Sequence, residues 1–514
     1  MSRIAMITAM TIVAIIALSM VIITKAITAT TIATTIAVTA ATTMALALAL
    51  ALAVTMIMAV ATTNTIATAD NRRPAPPQEN LLQSKYVIVG GGAGGLELAC
   101  KLGRKLGPEA VMLVDSRLFH IWKPSLHEVA AGTLDVHQEG LSYQMLAHDN
   151  RFTFVYGPML ALDAGQRVLT VGAIQSGTEE KEEILPERQI RFDQLVIAVG
   201  STSNYFGVPG AAEHTISLNA TEDAERFRLT LLKLLTTAEL RKSVQAEAGV
   251  DVVIIGGGAT GVELAAELRE ASGVYATYGF RQLQAERDVR ITLLEGAPRI
   301  LAPLPEKVST AALGLLRERA VTVVTATRVT AIDGASVTAG DTVYPAQLVV
   351  WAAGIKAPDF LKNLGLPVTK SGQLDVDGML AVKGFDYIYA LGDCAACIGP
   401  DGKLVPPRAQ AAHQMADYLL ETFMRQHKGK PAQAKPYAYR DYGSLVSFGQ
   451  TTSVGSLMGS LKGLSWFVDG FVARMMYVSL HLMHHQAVLG TVRTGVLAVA
   501  RFLIKRTTPL VKLH

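Results

Sequence analysis

Cysteine is scarce in this chain, three in 514 residues. That excludes a disulfide-stapled secreted scaffold and fits a reducing compartment. Charge is nearly missing from the first 69 residues, which hold only Arg3 and Lys25. Aromatic residues are missing there altogether, while 48 of the 69 positions are apolar. This segment inflates the mean hydropathy of +0.32. Beyond it the apolar share is ordinary for a soluble globular chain, which excludes a polytopic protein with its core in lipid. The length allows about three domains and a sizeable core.

The net charge of +4 is unevenly spread. Residues 461–514 carry seven basic side chains against Asp469 alone. The body between the two ends is therefore mildly acidic. A basic, apolar tail on such a body points to an anionic membrane surface and away from nucleic acid.

Ile4–Thr24 is uncharged and 21 residues long, enough to span a bilayer. Residues 26–69 are uncharged too, but Thr-rich and of low complexity, with ALALALALA at 45–53. Three readings stay open: a signal peptide or anchor, one or two spanning helices, or low-complexity sequence ahead of the true start. The polar, Pro-rich stretch Asp70–Gln83 reads as a linker, so residues 1–83 form an extension before the body.

From Lys85 the pattern changes. Tyr86–Val89 is a buried-strand run leading into Gly90, Gly92 and Gly95 of a GxGxxG and then a helical stretch. The first glycine makes a tight turn, the second lets a pyrophosphate approach, and the third lets helix pack on strand. A second apolar run ends in Asp115, 20 residues after Gly95, where a ribose-binding carboxylate is expected. The unit recurs: Val252–Ile255, then Gly256, Gly258 and Gly261, a helix, and a strand ending in Glu295. Here the acid follows Gly261 by 34 residues, which a longer helix and loop explain. A carboxylate at Glu295 would repel a 2′-phosphate and favour NADH over NADPH. Two such units imply two dinucleotides, most economically FAD and NAD.

Three further apolar runs follow, two ending in glycine and one in Gly392-Asp393: Asp193–Gly200, Leu348–Gly354 and Tyr387–Asp393. Such strands close a nucleotide domain or carry the chain to its neighbour. The acid of Gly392-Asp393 suits the ribityl hydroxyls of a flavin. The fold class is thus α/β, with two Rossmann-like domains. An FAD domain at 84–210 and 350–440 is interrupted by an NAD(H) domain at 211–349, and a C-terminal region covers 441–514.

The stretches HIWKPSLHEVAAGTLD (120–135), GGGATGVELAAEL (256–268), VVWAAGIKAPDFL, YALGDCAAC, VPPRAQAAHQMA (405–416) and GSLVSFGQTTSVGSLMG resemble those of the type II NADH:quinone oxidoreductases. These are the non-proton-pumping respiratory NADH dehydrogenases of the two-dinucleotide-binding-domain flavoproteins. The resemblance covers residues 85–514. It implies hydride transfer from NADH to FAD and onward transfer of two electrons to a membrane quinone, ubiquinone or menaquinone. It also implies a peripheral, homodimeric enzyme on the cytoplasmic face of the bacterial plasma membrane. By resemblance, Lys123 lies in a loop near the flavin, Ala411 beside it, and Gly354 on the NAD side. Gln410 and Gln414 share a helix face lining the quinone tunnel, and Glu263 helps relay a proton to the quinone. Read without the resemblance, the two glutamines are surface residues and Glu263 is a helix-dipole partner.

Cys394 and Cys397 form a CxxC that allows a redox disulfide, a copper or zinc half-site, or no function. His481, His484 and His485 have metal-compatible spacing but no carboxylate beside them, so an interfacial helix with polar histidines is expected, and no metal. The tail from Leu464 reads as amphipathic helices lying in a membrane interface, or pairing between two copies. Two other functions fit parts of the pattern. A soluble NADH-dependent reductase of a ferredoxin-like protein would not need the basic tail. A flavin redox sensor would bind FAD without turnover.

Overall fold

The structure, a computed structural model, describes residues 81–176, 182–278, 280–431, 435–449, 452–458, 465–504 and 511. The expectations for residues 1–69 and for most of the linker lie outside them. The linker ends earlier than Gln83. Leu81, Leu82 and Gln83 already pair with Gln189, Ile190 and Arg191, because the first strand extends along its neighbour.

Short apolar runs build two parallel sheets on one pattern. In the first, Leu81–Val89 lies between Val111–Asp115 and Arg188–Ile197, parallel to both. Thr153–Tyr156 extends the sheet on one side, and Ile388–Ala390 pairs in parallel with Arg188–Ile197. An antiparallel pair, Val168–Val171 and Met159–Asp163, completes it. Residues Val87, Ile88, Leu113, Leu195 and Val196 are fully buried, as strands covered on both faces must be. Ile388–Ala390 comes from far along the chain, so this domain is discontinuous.

The second sheet runs Ile216–Ser217, Leu348–Trp351, Val250–Ile255, Val289–Leu294, Val321–Val324, all parallel. Leu348–Trp351 pairs along its length with Val252–Ile255. The chain therefore leaves the second domain after Trp351, which corrects the boundary expected at 349/350. The two crossings run side by side, Thr202–Ser203 antiparallel to Ile355–Lys356. A second exchange was not legible in sequence. Leu126, Val129 and Ala130, from the first domain's stretch, pack in the second domain's core with Phe227 and Leu231.

The C-terminal region begins as an antiparallel sheet of Gly443–Phe448, Thr452–Met458 and Ser465–Asp469. Its Val446, Phe448 and Val454 join the second domain's core. The helix Gly470–Leu489 then reaches the first domain, where Val488 enters the core and Arg104 donates to the Ala487 carbonyl at 2.7 Å. This corrects the expected interfacial helix with polar histidines. His484 and His485 are buried, because the protein itself supplies their hydrogen-bond partners.

The last helix, Thr491–Ile504, behaves differently. Val492, Val496, Val499 and Leu503 are 76%, 65%, 62% and 53% exposed at helical spacing, a stripe of apolar side chains facing outward. The basic residues beside them are held in ion pairs: the exposed Arg493 contacts Asp149, and the partly buried Arg501 contacts Glu139. Among the described residues, no helix is long and apolar enough to cross a membrane.

Candidate active site

Each glycine fingerprint sits where a parallel strand gives way to a helix. Gly90 takes φ +104° and its amide donates to the Val114 carbonyl at 2.8 Å. Gly256 takes φ +110° and donates to the Leu294 carbonyl at 2.8 Å. A β-carbon at Gly95 would collide with the Gly90 carbonyl, and one at Gly261 with the Gly256 carbonyl. Only glycine lets the helices come this close to their strands. At the helix N-caps, Gly92 and Gly258, the reverse holds: a β-carbon would meet nothing within 4 Å. That open side, beside amides that lack intrahelical acceptors, fits a pyrophosphate in both domains.

The two acids match as closely. Asp115 accepts the Gly91 amide at 2.6 Å and the Arg117 amide at 2.8 Å. Glu295 accepts the Gly257 and Ala297 amides, both at 2.6 Å. The longer spacing to Glu295 is taken up by the 19-residue helix Ala259–Thr277 and the short helix Ala285–Asp288. Burial lifts the Asp115 carboxyl above its ordinary range, against the pull of the loop amides.

Around the first fingerprint the distant motifs converge. Lys123 Nζ donates to the Ser201 carbonyl at 3.0 Å, and Ser201 Oγ donates to Asp393 Oδ2 at 2.7 Å. Burial lowers the Lys123 ammonium, and the nearby Asp393 carboxylate partly offsets this. Gly392 takes φ +73°. Ala411 is buried near the start of the helix Ala409–His427. A β-carbon on Gly94 would collide with the Ala412 carbonyl, so this helix start lies directly against the fingerprint helix. On the other side Gly354 takes φ +66° under the ring of Phe206. Two cradles, each with its own carboxylate, can hold two dinucleotides.

Residues 84–416 match the family model described as pyridine nucleotide-disulphide oxidoreductase. Over 445 residues the chain is 37% identical to a type II NADH:quinone oxidoreductase of Haemophilus influenzae, covering 83% of this chain and 99% of that protein. The chain belongs to the type II NADH:quinone oxidoreductases. It is an FAD-dependent enzyme that passes electrons from NADH to a quinone. A demethylphylloquinone reductase of Synechocystis is 30% identical over 73% of this chain and 87% of its own length. A Plasmodium falciparum NDH2 structure in complex with NADH shares the fold, with a TM-score of 0.71, 18% identity and coverage of 84% and 99%.

In this enzyme Gln410 and Gln414 do share a helix face, and both grip the segment that follows. Gln410 Nε2 donates to the Gly443 carbonyl at 3.1 Å, and Gln414 exchanges two bonds with the Arg440 backbone, at 2.8 and 3.0 Å. Glu263 is the fifth residue of its helix, past the first turn, which corrects its reading as a helix-dipole partner. Its carboxylate is buried, accepts the Ser447 amide at 3.0 Å and lies 3.7 Å from His127 Nδ1. One strand, Gly443–Phe448, thus touches Gln410 at its start and Glu263 near its end.

Cys394 and Cys397 are buried free thiols, and burial pushes them up to about 12 and about 11, so both stay protonated.

Sequence reasoning missed one buried polar chain. His120 Nδ1 bonds the Gly91 carbonyl at 2.9 Å, and its Nε2 lies 2.9 Å from His484 Nε2. His484 Nδ1 reaches Glu97 Oε1 at 2.8 Å, and Glu97 Oε2 meets His413 Nδ1 at 2.5 Å and Lys101 Nζ at 3.1 Å. Burial holds His120 well below the usual imidazole range, so it is neutral. Donating from Nδ1 to the Gly91 carbonyl, it leaves its Nε2 lone pair facing His484 Nε2. Tyr143 also donates to the Gly91 carbonyl, at 2.8 Å. The fingerprint loop is therefore braced by the C-terminal helix, 387 residues from Glu97 in sequence. Helical spacing marked the histidines, but nothing local marked their partners.

Proposed function

We propose that the first cradle takes FAD and the second NADH, with the quinone reaching the flavin from the membrane surface. The carrying observation is the matched pair of glycine cradles, each closed by a carboxylate on the second amide of its loop. Gly90, Gly92, Gly95 and Asp115 hold the FAD pyrophosphate and ribose. Lys123, Gly392, Asp393 and Ala411 flank its ribityl and ring portions. Gly256, Gly258, Gly261, Glu295 and Gly354 hold NADH. The flavin, when bound, supplies hydride acceptance and electron donation, while the chain supplies position and electrostatics. Gln410 and Gln414 keep the quinone-side helix fixed to the strand lead-in. Glu263 Oε2, facing His127 Nδ1, holds the proton that quinone reduction consumes.

Glu295 sets the choice of nucleotide in this reading. A carboxylate about 4 Å from a 2′-phosphate opposes it by about 4 kcal/mol at an effective dielectric constant of about 20. Glu295→Gln is expected to raise kcat/KM with NADPH at least about tenfold while changing that with NADH far less. Steady-state kinetics with both nucleotides measure this, and an unchanged ratio would remove Glu295 from the ribose site.

The outward stripe Val492, Val496, Val499 and Leu503 is the docking element, on the cytoplasmic face where NADH is present. Truncation at 461 would be a poor test, since it also strips His484 and Val488 from the buried interior. Val496→Glu/Val499→Glu leaves the interior intact. With anionic vesicles carrying quinone, binding and quinone reduction are expected to fall at least about tenfold, because two apolar side chains no longer enter lipid. Reduction of soluble ferricyanide should persist. Unaltered vesicle turnover would overturn the docking assignment. If the variant instead lost only a dimer, the stripe would pair two copies.

A further inference from the structure

We infer that Glu139, His481 and His485 form a site for a single divalent transition-metal ion of the zinc class, with Arg501 as its built-in competitor. His481 and His485 are four apart on the helix Gly470–Leu489, and their rings stack 4.4 Å apart at 9°, so both present their edges on the same side. The fold supplies the carboxylate that the sequence did not show. Glu139 ends the short helix Val136–Glu139 of the first domain, and the three ligand atoms lie within 4.8 Å of one another.

The second contacts suit a metal ligand. His485 Nδ1 bonds the His481 carbonyl at 3.0 Å. Donation there fixes the tautomer whose Nε2 lone pair faces the cluster, the usual second contact of a metal-binding imidazole. The Arg501 guanidinium confirms both the lone pair and the preference for positive charge: it donates to His485 Nε2 at 3.3 Å and contacts Glu139. The three groups line a small, partly open pocket with His120 and Trp122. Two imidazoles and one carboxylate select zinc, nickel or copper(II) over calcium or magnesium, and three protein ligands leave a position for water.

Metal binding and the Arg501 contact exclude each other. Arg501 lies on the last helix and pins it to the first domain. Loading the site therefore trades that pin for a metal bridge between the helix Gly470–Leu489 and the first domain.

The test is calorimetric titration of zinc alone into the tag-free, FAD-loaded full chain. One equivalent is expected to bind. Glu139→Gln and His485→Ala should each weaken binding by more than about tenfold, through loss of a direct ligand. Arg501→Gln should strengthen it several-fold, because the competing cation is gone. That gain is a sign that a misfolded variant would not give. Binding indifferent to a His481→Ala/His485→Ala double variant would overturn the site. So would an Arg501→Gln protein that binds zinc no better than the unaltered chain.

Discussion

Gly95→Ala is expected to leave the enzyme without flavin, and Gly261→Ala to leave it with flavin but unable to use NADH. The added methyl at Gly95 would press on the Gly90 carbonyl and on Ala198, and at Gly261 on the Gly256 carbonyl. The two carbonyls are backbone atoms of the strand turn, which cannot swing aside as a side chain would. Overpacking of this kind costs about 3 kcal/mol or more where the neighbour cannot yield. Ligand affinity then falls about a hundredfold or more, because the same turn aims the phosphate-binding amides. Flavin absorbance of the purified proteins and NADH titration read the two effects separately. In Gly95→Ala both NADH:quinone and NADH:ferricyanide activity should vanish with the flavin. In Gly261→Ala the flavin spectrum should survive, but bleaching by NADH should require far higher nucleotide. If Gly95→Ala kept a full complement of FAD and Gly261→Ala lost it, the assignment of the two cradles would be reversed.

Glu97→Ala should destabilise the folded enzyme by about 3–5 kcal/mol, the usual result of removing one partner from a buried charged cluster. Burial alone would push the Glu97 carboxyl up. Hydrogen bonds from His413 and His484, with the charges of His413 and Lys101, outweigh it and hold the carboxyl well below its ordinary range. Burial depresses His413, but its bond to Glu97 and the negative charges of Glu97 and Asp417 together outweigh that and raise it. The signs follow. A depressed carboxylate adds stability at all pH above its unfolded value, and loses it as pH falls into the acid range. A raised histidine adds stability below its unfolded value near 6.5, and loses it as pH rises through the folded value. The penalty of Glu97→Ala should therefore be greatest between these limits, at mildly acidic pH, and shrink on either side. Thermal melting across pH reads it directly. A pH-independent loss would mean that Glu97 acts by packing alone. Because His484 links Glu97 through His120 to Gly91, the same variant should also bind FAD more weakly.

Much of the enzyme was legible because its key elements are local. A strand, three glycines, a helix, a strand and an acid follow one another within a few dozen residues, so Gly90 to Asp115 and Gly256 to Glu295 could be assigned from order alone. Even the odd spacing to Glu295 was traceable to an extended helix. What failed were readings that depend on the far side of a contact. Glu263 looked like a helix-end acid, but the strand Gly443–Phe448 passes it and the Ser447 amide claims its carboxylate. Cys394 and Cys397 have the spacing of a redox or metal pair, yet burial keeps both as thiols. The histidines of the tail looked interfacial because polar residues in an apolar helix usually seek water. Here Glu97, His120 and Glu139 wait for them inside the protein.

The sequence by itself determined the two strand–glycine–helix units, their order along the chain, and which carboxylate closes each loop, since backbone turn geometry and helix N-termini are fixed by neighbours in the chain. Only the tertiary structure decided what the C-terminal region does. Hydrophobicity and charge reported a basic, apolar tail, and they could not say which basic groups face solvent. Packing ties Arg493 and Arg501 to Asp149 and Glu139, buries His484 and His485, and leaves an apolar stripe of the last helix outside. The pairing of residues hundreds of positions apart depends on how two sheets dock, and composition carries no record of that.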